Sequence, residues 1–252
     1  MDDGILPFWR DGPIPGSLHQ FPGRTNAQGF REHTRQPIVM GTSVLGVKFG
    51  DGVMVAADTL GSYGSLARFR SISRFLKVNN ETLVAASGDY ADFQLIEDIL
   101  KQKVLDDELL VDDQGYSPAS IFSWLTRFLY YRRCRLNPIW NTFLVAGVNK
   151  GESFLGQVDM LGVAYESPTI ATGYGAYIAR PLLRDAYERN ATMSSDEARQ
   201  LLEQCLRVLF YRDARSLNKF EIATITQDGV TIDHPRSVET SWEIGKMVKG
   251  YD

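Results

Sequence analysis

Short apolar segments separated by tight turns dominate the first part of the chain. Gly50-Asp51-Gly52 separates the first two segments and Asn79-Asn80 the next two, and an apolar run on each side of such a turn is typical of a β-hairpin. The four predicted strands cover residues 43–49, 53–57, 75–78 and 82–86. The segment 58–73, rich in Gly, Ser and Arg, is interpreted as a loop. The early chain is therefore predicted to be an antiparallel sheet.

From Asp89 onward the apolar period changes to that of an amphipathic helix. Asp89 can cap the start of this helix, and its predicted apolar face consists of Phe93, Ile96, Leu100 and Val104. A second helix is predicted after Ser117-Pro118, because serine suits the N-cap and proline the first helical position. Two helices are thus expected to follow the sheet.

The second half of the chain repeats this order. Strands are predicted over 140–148, 153–160, 220–226 and 230–233. Between them we expect a helix bent or begun at Pro181 and another opened by the capping box from Ser194 to Glu197. A short closing helix is expected over 242–248. Alternation of strands and helix pairs predicts one layered α+β domain over 34–252, preceded by an irregular, proline-rich leader over 1–33.

Composition narrows the possible partners and compartments. A formal net charge of −4 gives no basic field, which argues against nucleic acid or an anionic membrane as a partner. No apolar run has the length of a membrane span, and the N-terminal residues do not resemble a secretory signal, so cytoplasm and nucleus are predicted. The cysteines, Cys134 and Cys205, are expected to be buried, reduced thiols. The histidines, His19, His33 and His234, have no metal-ligand spacing, and neither a metal nor a cofactor is predicted.

A Gly41-Thr42 pair opens the first predicted strand and is the main candidate for chemistry. A threonine hydroxyl can act as a nucleophile when the free α-amine of the same residue serves as its base. An amide nitrogen cannot take that role, whereas an α-amine with a pKa of about 7.7 to 8.0 can. Cleavage between Gly41 and Thr42 is therefore required before this residue could catalyse anything.

These residues resemble a known family. The runs Gly-Thr-Ser-Val-Leu-Gly-Val-Lys-Phe at 41–49 and Gly-Val-Met-Val-Ala-Ala-Asp at 52–58 are similar to the opening of the β-type subunits of the 20S proteasome, which are N-terminal-nucleophile hydrolases. Further family motifs follow in the expected order at 87–92, 171–175 and 211–216. The segments 34–39, 60–65 and 137–141 resemble one non-catalytic member of the ring in particular. The resemblance extends over roughly 34–248.

The resemblance implies both a fold and a processing step. The family's fold is a four-layer αββα sandwich, which agrees with the predicted order of elements. Residues 1–33 would be a propeptide removed before Thr34 during assembly, with a flexible tail that has no role as the alternative. If the mature chain begins at Thr34, eight residues still precede Thr42 and keep its nitrogen in an amide.

The family's site residues can be placed on this sequence one by one. Thr42 matches the nucleophile, and the supporting positions of active subunits match Asp58, Gly88, Asp213 and Ser216. By resemblance the carboxylates hold the surroundings of the nucleophile, the backbone N–H of Gly88 stabilises an oxyanion, and Ser216 lies near the N-terminal amine. The purely structural alternative is that the carboxylates fix loops and that Gly88 is needed for its backbone conformation.

Two departures from the active pattern decide the functional interpretation. Arg74 stands where an active subunit has a lysine, and Tyr174 where it has a serine. A guanidinium, with a pKa above about 12, does not exchange protons near neutral pH as a desolvated lysine can. The sequence therefore predicts a non-catalytic, structural β subunit that assembles with the other α and β subunits of stacked 20S rings. The alternatives are an active threonine peptidase with Thr42 as nucleophile and a free-standing amidohydrolase of the same fold.

Overall fold

The computed structural model describes residues 36–109, 115–243 and 245, and within them the chain forms two β-sheets enclosed by two layers of helices. The strands are β1 (Val39–Gly41), β2 (Val44–Phe49), β3 (Gly52–Asp58), β4 (Gly61–Tyr63), β5 (Leu66–Phe69), β6 (Phe75–Lys77), β7 (Thr82–Asp89), β8 (Asn141–Asn149), β9 (Glu152–Val158), β10 (Ala164–Glu166), β11 (Thr169–Ala171), β12 (Phe220–Thr226) and β13 (Gly229–Ile232). The helices are α1 (Tyr90–Glu108), α2 (Pro118–Cys134), α3 (Gly175–Ile178), α4 (Arg180–Arg189) and α5 (Ser195–Arg212).

Both sheets are antiparallel. The larger one has the order β10-β9-β8-β7-β1-β4-β5, and β6 also pairs with β7. The smaller one has the order β11-β2-β3-β12-β13. The predicted hairpins β2–β3, β6–β7, β8–β9 and β12–β13 are all present. Strand β1, by contrast, lies inside the larger sheet although it is only three residues long.

Apolar side chains form three cores between four layers. The core between the two sheets includes Val55, Leu83, Leu144 and Ile225. A second core, between the larger sheet and α1 and α2, includes Ile96, Leu125 and Phe143. The third packs the smaller sheet against α3, α4 and α5. Because apolar residues on successive strand positions enter different cores, both sheets are buried on both faces, and the predicted αββα sandwich is confirmed.

Local sequence signals set the helix starts as predicted. The side chain of Asp89 accepts a hydrogen bond from the Asp92 amide at the start of α1, and Ser117 caps α2 through the Ser120 amide. The capping box of α5 is complete, since Ser194 and Glu197 each accept a hydrogen bond from the backbone of the other. These caps satisfy amides that have no partner within the helix.

Several predictions of local structure are wrong. The segment 58–73 is not a loop throughout, because it contains β4 and β5, and β1, β10 and β11 were not predicted. Of the two forms predicted for the third helix, the one begun at Pro181 is confirmed by α4, and the short helix α3 before it was not predicted separately. Cys134, expected to be buried, is exposed at the end of α2, whereas Cys205 is buried as predicted. Burial raises the pKa of the Cys205 thiol to about 12 and keeps it protonated.

Some predictions concern residues outside the described part of the chain. They are the leader over 1–33, cleavage before Thr34, and most of the closing helix over 242–248. Within the described ranges, no helix combines the length and hydropathy needed to cross a membrane. The same ranges contain no cluster of three or more side chains suited to hold a metal ion.

Candidate functional site

Thr42 lies between β1 and β2, beside the end of α5. Its Oγ1 donates a hydrogen bond of 2.5 Å to Oδ2 of Asp213. A cavity of about 10 Å³, the volume of about one water molecule, borders this contact. The cavity is lined by Thr42, Ser43, Asp58, Leu206, Leu209, Asp213, Ser216 and Leu217. The structure thus brings together the threonine, both carboxylates and the serine that the sequence singled out.

Arg74 fills the space on the other side of the Thr42 backbone. Its Nη1 donates to the carbonyl oxygen of Thr42 at 2.5 Å and its Nη2 to that of Ser43 at 2.9 Å. Further donors reach the carbonyl oxygens of Asp58 and Ala86. The guanidinium therefore holds the main chain on both sides of the Thr42–Ser43 peptide bond. The planar fork of an arginine suits this task, and a lysine ammonium could not reach as many acceptors.

Arg74 and Asp58 form a buried ion pair. Nη2 of Arg74 lies 2.6 Å from Oδ1 of Asp58, and the side chains are 2% and 4% exposed. Burial raises the pKa of Asp58, while Arg74 and the Leu217 amide, which donates to Oδ2, oppose that rise. Burial likewise lowers the pKa of Arg74, and Asp58 opposes this effect. Each charge is stabilised by the other, because burial removes the water that would otherwise hydrate it.

The strand before Thr42 is an integral part of the larger sheet. In β1, Met40 pairs with Ser62 of β4 on one side and with Asp89 of β7 on the other. Gly41 lies opposite Gly88, and a side chain at Gly41 would come within 2.5 Å of Cδ of Arg74. Two neighbouring strands therefore hold the residues directly preceding Thr42. Glycine at position 41 leaves the space through which the Arg74 side chain passes.

None of the remaining candidate residues contacts the Thr42 hydroxyl through a hydrogen bond among those the structure describes. The Ser216 hydroxyl donates to the carbonyl oxygens of Asp213 and Leu209. Gly88 has φ +104°, and a side chain there would lie 2.2 Å from the carbonyl oxygen of Trp140. Tyr174 is exposed, and it is the next residue, Gly175, whose amide donates to Oγ of Ser43. Ser43 and Leu217 were not predicted from the sequence, because their hydrogen bonds to Gly175 and Asp58 join residues more than 100 positions apart.

The arrangement limits what Thr42 can do. Its nitrogen is an amide, so the base on which an N-terminal threonine relies is missing. The expectation that the hydroxyl has no base nearby is wrong in one respect, because the Asp213 carboxylate accepts its proton in a hydrogen bond. A carboxylate is a much weaker base than an α-amine at neutral pH. Arg74, fully buried and paired, has no free proton to exchange.

Comparison with known proteins identifies the family. The family model described as "Proteasome subunit" matches residues 38–225, about three quarters of the chain. The chain belongs to the proteasome subunit family. This membership confirms the resemblance that the motifs around Thr42 indicate, and it agrees with the observed αββα architecture.

Among proteasome subunits, the chain is similar over nearly its full length to those called beta type-4. It is 58% identical to "Proteasome subunit beta type-4" of Xenopus laevis, over 96% of this chain and 98% of that relative. The protein of the same name from Dictyostelium discoideum is 46% identical, with 93% of each chain covered. That from Arabidopsis thaliana is 44% identical, over 86% of this chain and 87% of the relative.

Proposed function

We propose that this chain is a non-catalytic, structural β subunit of the 20S proteasome core, occupying the ring position of the beta type-4 subunits. Its task is to complete the β ring and the wall of the chamber in which proteins, including ubiquitin-tagged ones, are degraded. One observation carries this proposal: the strand directly before Thr42 is paired on both sides within the larger sheet, as expected of residues that stay attached to Thr42 in the mature chain.

Arg74 supports the same conclusion. In an active site of this type, the residue at its position has to assist proton movement at the threonine. Here a buried guanidinium is committed to Asp58 and to four backbone carbonyl oxygens. Such a group stabilises the loop before β2 and leaves the hydroxyl unactivated. Thr42, Asp58, Arg74, Gly88, Asp213 and Ser216 are accordingly a vestigial site.

Membership of the family implies assembly with other proteasome subunits. The proposal extends this to stacked rings of α and β subunits, to removal of residues 1–33 before Thr34, and to residence in cytoplasm and nucleus. The net charge of −4 argues against nucleic acid or an anionic membrane as an additional partner. Neither a metal nor a cofactor has a place in this function.

The N-terminus of the mature chain tests the proposal directly. Edman sequencing or mass spectrometry of this subunit, isolated from assembled particles, should give a chain that begins at Thr34. An active β subunit from the same particle is the matched control and should begin with threonine as its nucleophile. A mature chain that begins at Thr42 would overturn the proposal, because it would supply the missing amine.

The short Thr42–Asp213 hydrogen bond favours one alternative, an active threonine peptidase. An epoxyketone that targets N-terminal threonine separates the two functions, because its adduct requires both the hydroxyl and the free amine of one residue. No adduct is expected on this chain, whereas active subunits of the particle should be labelled. Gel filtration tests the free-standing amidohydrolase, which would elute near the mass of a monomer rather than with a very large particle.

A further inference from the structure

An apolar surface at one corner of the larger sheet has no partner among the described residues. It consists of Val39, Tyr63, Leu66, Phe69 and Ile72, which we call the hairpin patch because most of it belongs to β4 and β5. Tyr63 is 56%, Leu66 57% and Phe69 44% exposed. Clustered exposure of this kind in a soluble protein marks an interaction surface.

Strand pairing places these side chains on one face of the sheet. Tyr63 pairs with Val39 on one side and with Leu66 on the other, and side chains directly opposite each other project from the same face. Gly61, paired with Phe69, lies in the middle, with Val39, Phe69 and Ile72 around the position that its side chain would take. The side chains of Val39, Phe69 and Ile72 fill the space over Gly61, so the patch is a continuous apolar surface.

The rim of the patch is positively charged. Residues 59–73 contain Arg68 and Arg70, both exposed, and neither Asp nor Glu. The Arg68 guanidinium lies over the ring of Phe69, 5.7 Å from its centre. An apolar surface with an arginine rim fits a peptide that carries aromatic or aliphatic residues next to carboxylates.

The chain itself contains such a peptide. Residues 2–9 read Asp-Asp-Gly-Ile-Leu-Pro-Phe-Trp, so two carboxylates and four large apolar side chains lie within eight residues. We propose that residues 2–9 of the unprocessed chain bind the hairpin patch, with Phe8 and Trp9 against its apolar side chains and Asp2 and Asp3 at the arginines.

The length of the chain between residues 9 and 36 permits this contact. The described part begins at Gln36, three residues before Val39, which is itself part of the patch. The 27 residues from Trp9 to Gln36 can span up to about 90 Å, so reach is not limiting. A tethered segment also has an effective concentration on the order of millimolar, which favours it over a separate partner.

Removal of residues 1–33, as the proposed function expects, would free the patch at the time of assembly. Binding itself does not depend on whether Thr42 is catalytic, so the two proposals can fail separately. A mature chain that begins at Thr42 would leave the docking contact of the precursor unaffected.

Photo-crosslinking in the full-length chain tests the contact. Benzoylphenylalanine in place of Trp9 should crosslink within one chain to residues 63–70, as mapped by mass spectrometry of a mixture of unlabelled and ¹⁵N-labelled protein. Leu66→Asp should abolish this crosslink. Leu136→Asp, a matched change at a residue that is 82% exposed outside the patch, should preserve it. Crosslinks between chains, crosslinks to other regions, or none at all would overturn the proposal.

A charge exchange controls for variants that merely misfold. Arg68→Glu with Arg70→Glu should abolish the crosslink, and adding Asp2→Arg with Asp3→Arg should restore it, since the attraction is re-formed with reversed sign. Failure of the second pair to restore it would overturn the proposal, because a misfolded surface could not be repaired by changes in residues 2 and 3.

Discussion

At the scale of single residues, Arg74 determines the character of the site that we propose to be vestigial. A buried cation requires a partner, and Arg74 has one in Asp58, together with backbone carbonyl oxygens that accept its remaining protons. The same contacts hold the main chain at Thr42 and Ser43. The side chain of Arg74 thus links the end of β3 to the start of β2.

Replacement of Arg74 should reveal that role. Arg74→Met leaves the Asp58 carboxylate buried and unpaired, and we expect the free energy of unfolding to fall by about 3–5 kcal/mol. Arg74→Lys retains the positive charge but loses the planar guanidinium with its several donors, so the free energy of unfolding should fall by less than in Arg74→Met. Urea denaturation of the purified chain measures both. Arg184→Met, which removes an exposed ion pair with Glu188, is the control and should leave the free energy of unfolding almost unchanged.

A second change distinguishes this explanation from a general packing defect. Adding Asp58→Asn to Arg74→Met removes the unpaired charge, so the double variant should be more stable than Arg74→Met alone. Equal or lower stability of the double variant would contradict the assigned ion-pair role.

The sequence indicated the residues of the site better than their contacts. Motifs placed Thr42, Asp58, Asp213 and Ser216 in the family's pattern, and the structure finds them around one cavity. The carbonyl contacts of Arg74 were not predictable, because they depend on β2, β3 and β7 meeting in space. The exposure of Cys134 was missed because the end of α2 faces outward, where Tyr130 and Leu136 are exposed as well.

At the scale of elements, β1 distinguishes this chain from one that begins at its threonine. Three residues make a weak strand on their own, but β1 pairs on both edges. In addition, the Ile38 amide donates to the Asp89 side chain, and the Met40 carbonyl oxygen accepts from the Ser62 hydroxyl. Because interior strands exchange their amide protons only in larger openings, we expect β1 to be protected.

Hydrogen exchange followed by mass spectrometry tests this expectation. The peptide that covers residues 38–42 should exchange at least as slowly as edge strand β5, which is longer but paired on one side only. Exchange of β1 faster than that of β5 would contradict an integrated strand and would favour a detachable remnant. Both strands are measured in the same sample, so solution conditions affect their exchange rates equally.

The capping box of α5 predicts a pH dependence. Hydrogen bonds from the backbone and side chain of Ser194 lower the pKa of Glu197 in the folded state. Its contribution to stability is therefore complete above the unfolded pKa and is lost as pH falls through the folded value. Ser194→Ala should cost about 1 kcal/mol at neutral pH.

Glu197→Gln is the matched variant for the pH effect, because glutamine keeps the acceptor but does not titrate. The wild type should be more stable than this variant at neutral pH, and the difference should shrink as pH falls below about 4.3. Thermal unfolding at a series of pH values measures it. A difference that is constant with pH would contradict the assigned role of the Glu197 charge.

Elements with local signals were the predictable ones. Hairpins with Gly or Asn turns and helices with side-chain caps are specified within about ten residues of sequence, and the structure has them. Strands β1 and β11 were missed because their partners are distant in the chain. Strands β4, β5 and β10 pair with neighbours in sequence, but three or four residues are too short to show a clear alternating pattern. The four-layer arrangement was nevertheless predictable, since it follows from the order of hairpins and helix pairs.

At the scale of the whole molecule, the chain has the αββα architecture expected of the proteasome subunit family, while the site around Thr42 is, as we propose, structural. The hydroxyl of Thr42 contributes a hydrogen bond to Asp213, and no step of peptide cleavage requires it. In an assembled particle, Thr42→Ala should therefore leave every peptidase activity unchanged and assembly intact. The cost should be limited to about 1 kcal/mol of subunit stability from the lost hydrogen bond.

Thr42→Ser provides the decisive comparison, because serine retains a nucleophilic hydroxyl whereas alanine does not. If the chain is structural, particles that carry either variant should cleave all peptide substrates at the rate of wild-type particles. If Thr42 were a nucleophile, the alanine variant would lose one activity completely and the serine variant would retain part of it. Rates should be measured on particles purified to equal subunit composition, so that a defect in assembly is not mistaken for a defect in catalysis. Equal rates in all three particles follow from an acylated threonine nitrogen, since a hydroxyl that is never activated can be removed without kinetic effect.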